Sequence, residues 1–83
     1  MERTRQNLDA VRQVKAWILA ATQPPEGALA VAIEVVCPQP GCPPIETMTA
    51  LMLPSGDTLR RKLPFPVAEV TEAVVVAAWA DHA

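Results

Sequence analysis

The apolar positions of this chain run first with a helical period, then with a period of two, then with a helical period again. Between residues 4 and 22, Leu8, Val11, Val14 and Ile18 recur at three- and four-residue spacing, and Ala10, Trp17 and Ala21 widen the stripe. That spacing predicts an amphipathic helix. Pro24-Pro25 ends it, because proline supplies no amide donor and restricts the residue before it. Glu26-Gly27 then turns the chain. Over residues 28–37, Leu29, Val31, Ile33 and Val35 alternate with Ala30, Ala32, Glu34 and Val36, which predicts a strand with its larger residues inward. Residues 45–53 predict a second strand, with Ile45, Thr47, Thr49, Leu51 and Leu53 on one face and Glu46, Met48, Ala50 and Met52 on the other. Pro54-Ser55-Gly56-Asp57 carries turn chemistry. Residues 58–63 predict a third strand, Leu59 and Leu63 inward, Arg60 and Lys62 outward. After Pro64-Phe65-Pro66 the spacing of Val67, Val70, Val74 and Ala77 or Ala78 favours a helix with Pro66 at its first position, while the valine run leaves a strand possible and the extent of helix over 66–80 open. Glu69 and Glu72 in its early turns suit the helix dipole.

The order α-β-β-β-α with short connections predicts one α+β domain over residues 1–83. Three consecutive strands form an antiparallel meander with the second in the centre, and both helices cover one face. The face they leave is expected to carry Ala30, Ala32, Val36, Met48, Ala50 and Met52. A solvated sheet face is normally polar, so an apolar one predicts an interaction surface. Two such faces, or two edge strands, pairing about a two-fold axis make a homodimer the expected state.

Composition narrows the partners. The net charge is −2, which gives no general attraction to nucleic acid or anionic membrane. The opening Met1-Glu2-Arg3-Thr4-Arg5 is charged and polar, unlike a signal peptide. No apolar run approaches the roughly 20 residues a membrane span needs. These features predict a cytoplasmic protein. With no tyrosine and one phenylalanine, the core must be built from aliphatic residues and the tryptophans. One serine and a penultimate His82 cannot build a serine-nucleophile triad, and there is no glycine-rich phosphate loop.

The candidate chemistry sits in Cys37-Pro38-Gln39-Pro40-Gly41-Cys42-Pro43-Pro44, which holds both cysteines. Gln39-Pro40-Gly41-Cys42 fits a type II turn, with glycine where φ is positive. Such a reversal can bring the thiols together, and three states stay open. They are structural thiols, metal or cluster ligands, or a redox pair. Zinc wants four ligands, so a zinc or iron–sulfur site requires Cys37 and Cys42 from two protomers, with Glu46 as a further ligand or proton acceptor. By strand phase Cys37 continues the inward odd-numbered series and is expected to be the less reactive thiol, with Cys42 exposed beyond the turn.

Read from Cys37 to Thr47 as C-x-x-P-G-C-P-P-I-E-T, this segment resembles a loop of small uncharacterised bacterial proteins. In those a strand follows, then another, then a helix start like Ala68-Glu69-Val70-Thr71. The resemblance spans Val36 to Val74 and implies no particular activity. Pro40-Gly41-Cys42-Pro43 also resembles the loop of one group of iron–sulfur assembly proteins. There the loop opens a helix, whereas Thr47 and Thr49 here favour a strand. The element order is that of double-stranded-RNA-binding domains as well, but Val67-Ala68-Glu69 stands where such domains place lysines. The expectation is therefore a non-enzymatic protein-interaction module, with a metal or iron–sulfur accessory protein as the alternative.

Overall fold

The computed structural model describes residues 2–36, 40–41 and 45–82. Helix α1 spans Glu2–Thr22, two residues longer at its start than the spacing predicts. Val14 and Ile18 are its buried centre, and Ala10, Val11 and Trp17 pack around them. Its end is set by proline. Pro24 pushes the preceding residue out of right-handed helical space, and Gln23 takes φ 46 while its amide still donates to the Leu19 carbonyl at 2.9 Å. Thr22 Oγ1 donates to the Ile18 carbonyl at 2.7 Å, so the last turn carries its own polar partner. Gly27, at φ 96, completes the turn into the sheet.

Strands β1 (Leu29–Val36), β2 (Ile45–Met52) and β3 (Thr58–Leu63) form an antiparallel meander in the order β1-β2-β3. The turn at 54–57 is closed by the Leu53 amide on the Asp57 carbonyl at 2.8 Å and the Gly56 amide on the Leu53 carbonyl at 2.9 Å. The α+β architecture is as the pattern predicts, with α1 packed over β1 and the C-terminal helix over β3.

The C-terminal segment is not one helix from Pro66. A single 3₁₀ turn, Val67–Glu69, comes first, and Val70 is extended at φ −72, ψ 132. Helix α2 then covers only Glu72–Ala78. Thr71 opens it as N-cap, its Oγ1 accepting from the Val74 amide at 3.3 Å. A valine run is a weak helix former. A threonine cap gives the backbone a better starting point than proline at 66. The Val67 amide is held instead by the Glu34 carboxylate at 2.9 Å. A second 3₁₀ turn, Ala80–His82, follows Trp79.

Aliphatic side chains from three parts of the chain form one buried cluster with Trp79. Val14 and Ile18 come from α1, Leu51 and Leu63 from the sheet, and Val67, Val70 and Val75 from the C-terminal segment. Trp79 is fully buried, and its Nε1 donates to Thr49 Oγ1 at 3.2 Å.

The phase of β1 is the reverse of the expected one. Ala32 stands opposite Thr49 in the register, and residues directly opposite on antiparallel strands share a face. Thr49 is fully buried, so Ala30, Ala32 and Glu34 lie beneath the helices, and Ala32 is only 5% exposed. The small alanines let α1 approach the sheet closely. Leu29, Val31, Ile33 and Val35 are thereby turned away from it. Among the described residues no helix is long and apolar enough to cross a membrane.

Candidate functional site

The face of the sheet turned away from the helices carries three cross-strand rows and a partial fourth. They are Leu29–Met52–Thr58, Val31–Ala50–Arg60, Ile33–Met48–Lys62, and Val35–Glu46. Its β1 side is wholly apolar and its β3 side is polar and basic. Leu29 is 63% exposed, Ile33 52% and Met52 44%. Val31, Val35, Met48 and Ala50 fill the half-buried ground between them. The face is open at the Leu29–Met52 end. At the other end Glu46 is only 9% exposed, with its Oε1 3.8 Å from Lys62 Nζ.

Of the six residues expected on this face, Met48, Ala50 and Met52 are there. Ala30 and Ala32 are not, because the register puts them under α1. Val36 belongs to the same even-numbered series and stands at the strand end, 75% exposed. Their places are taken by Leu29, Val31, Ile33 and Val35. In the sequence alone Glu34 argues for the opposite phase. A carboxylate on the even series can face inward when a backbone amide awaits it, and the break before helix α2 supplies one.

The basic run Arg60-Arg61-Lys62 splits between the two faces. Arg61 turns to the helix side, where its guanidinium sits 5.0 Å over the Trp79 ring and donates to Asp81 Oδ2 at 2.8 Å. Arg60 and Lys62 stay on the open face. Among the described residues Arg60 has no acidic partner.

The floor under the face is held by buried polar groups. Thr47 Oγ1 donates to the Phe65 carbonyl at 2.7 Å and Thr49 Oγ1 to the Arg61 carbonyl at 2.6 Å. Every buried side-chain polar atom among the described residues has a partner. The open face therefore sits on a rigid, internally satisfied platform.

Cys37 and Cys42 lie outside the described residues. Between them Gly41 has φ 92, the positive value a type II turn needs there. The expected burial of Cys37 rested on an inward odd series, and that premise falls with the phase of β1. Glu46, the third candidate of that site, faces the open side beside Lys62. Among the described residues no three His, Cys, Asp or Glu side chains are grouped as a metal site.

A separate cleft of about 160 Å³ lies at the end of the sheet, lined by Thr22, Gln23, Pro24, Pro25, Leu51, Leu53 and Leu59. The periodicity gave no hint of it. It is smaller than the roughly 300 Å³ at which small-molecule pockets begin. Its lining has no titratable group, so it offers van der Waals contact and no acid–base chemistry.

No protein-family model matches the chain, and no curated protein or solved structure is detectably similar to it.

Proposed function

We propose that this chain is a non-enzymatic protein-interaction module that works through the open face of its sheet. The observation that carries the reading is the exposure of Leu29, Ile33 and Met52 on one continuous apolar surface. Burying such side chains is worth about 1.5–3 kcal/mol each, so leaving them in water is a standing cost that a partner removes. A contiguous apolar patch with a polar border is the ordinary mark of a protein contact. Homo-oligomerisation is one form this contact can take. The rigid floor suits the role, because a surface fixed beforehand loses little entropy on binding.

A photo-crosslinking side chain placed at Ile33, with Ala77 on the exposed side of α2 as the control position, tests this directly. The expected result is a polypeptide adduct from position 33 and none from position 77. Adducts at neither position, or at both equally, would remove the proposal.

A further inference from the structure

The chemistry of the open face specifies its occupant. We propose that it receives one amphipathic α-helix of a different protein, laid along the strands. The apolar stripe of that helix rests on Leu29, Val31, Ile33 and Met52, and its acidic flank meets Arg60 and Lys62. This rests on the reading of the open face as an interaction surface.

Three observations carry it. The first is size. β1 and β2 of eight residues and β3 of six, at about 3.3 Å per residue and about 4.8 Å apart, make a platform about 14 Å wide, roughly 26 Å long on β1 and β2 and roughly 20 Å on β3. A helix with its side chains is about 10–12 Å across and rises about 1.5 Å per residue. One helix of about 17 residues therefore covers the face. A sheet with one helical layer and one bare apolar face is completed by a second helical layer.

The second is charge order. The apolar residues lie on β1 and on β2 from Met48 to Met52, Glu46 closes the far end of β2 beside Lys62, and the cations line β3. Arg60 is exposed and has no acidic partner among the described residues. Lys62 is ion-paired with Glu46 at 3.8 Å, beyond hydrogen-bond distance. A partner with acids along one edge would pair Arg60 and reach Lys62.

The third is that a second copy fits poorly. Aligned stacking of two such faces about a two-fold axis sets β3 over β3 or β3 over β1. The first opposes cation to cation. The second lays Arg60 and Lys62 on a row of aliphatic side chains, where unpaired charge is costly.

The probes are two peptides of 17 residues. Each carries leucine at i, i+4, i+7 and i+11, with glutamate along one flank in the first and lysine in its place in the second. Titrated into the full chain and followed by amide NMR shifts, the glutamate peptide is expected to move β1, β2 and Arg60. It should bind about tenfold tighter than the lysine peptide. Arg60→Glu should reverse that preference while leaving the spectrum folded. Equal affinities for the two peptides would overturn the proposal. So would shifts confined to the outer edge of β1, which would mean strand addition. A dimer mass by light scattering that Ile33→Lys abolishes would make a second copy the occupant. Binding to anionic lipid vesicles in place of either peptide would assign the face to a membrane. If neither peptide binds but Ile33 still crosslinks, the helical partner is wrong and the interaction reading stands. If neither occurs, both fall.

Discussion

Along β1 and much of β2 the two faces of this small sheet invert the usual relation between residue type and burial, although Leu51 and Leu63 on the helix side keep to it. On the helix side β1 and β2 present Ala32, Glu34, Thr47 and Thr49, small or polar residues that are buried or half-buried. On the open side the same strands present Leu29, Ile33 and Met52, large apolar residues left in water. The difference follows from what each face meets. The helix side meets α1 and the C-terminal segment at close range, so it favours small side chains and polar groups whose partners are fixed. The open side meets nothing among the described residues, so its large side chains remain available. Burial is decided by satisfied contact and not by hydropathy alone.

This comparison can be broken first on the helix side. Trp79→Ala should cost about 3–5 kcal/mol, because it empties the centre of the core and removes the donor to Thr49. Urea denaturation followed by circular dichroism measures this. A loss below about 1 kcal/mol would mean that the core does not meet on Trp79. Thr49→Val keeps the shape but deletes the partner of Trp79 Nε1, and should cost about 1–3 kcal/mol in the same assay. An unchanged midpoint would show that the indole is satisfied elsewhere.

Glu34→Ala sharpens the same side at smaller magnitude. It frees the Val67 amide and should cost about 1–2 kcal/mol. The first effect should be faster hydrogen exchange at the Val67–Glu69 turn. If exchange there is unchanged, Glu34 does not hold that turn and its inward placement loses its reason.

The meander, the turn at 54–57, the phases of β2 and β3 and the C-terminal end of α1 were legible in the residue pattern, because Leu51, Leu59 and Leu63 mark the inward series and prolines punctuate the turns. β1 was not. Both of its series are apolar apart from Glu34, so period two fixes that it is a strand but not which side is in. The rule that the larger series goes inward chose the wrong one. The C-terminal break could not be placed from the sequence for a related reason. Pro66 is a good helix start in isolation, but the Thr71 hydroxyl and the Glu34 carboxylate act together, and one of them comes from a distant strand. The open face was legible as a property of the fold, and half of its residues were legible by position. Its charge order was visible in Arg60 and Lys62, although Arg61 between them serves the core ring instead.

The phase of β1 is the claim on which the platform, the open face and its partner all depend. Two neighbouring substitutions test it, Ala32→Lys and Ile33→Lys, each measured for its urea midpoint. Lysine at 32 would place an unpaired charge beneath α1, and the chain should lose its cooperative transition. Lysine at 33 would stand in water, and the midpoint should move by no more than the equivalent of about 0.5 kcal/mol. A stable Ala32→Lys beside an unfolded Ile33→Lys would contradict the account, because it would return Leu29, Val31, Ile33 and Val35 to the core.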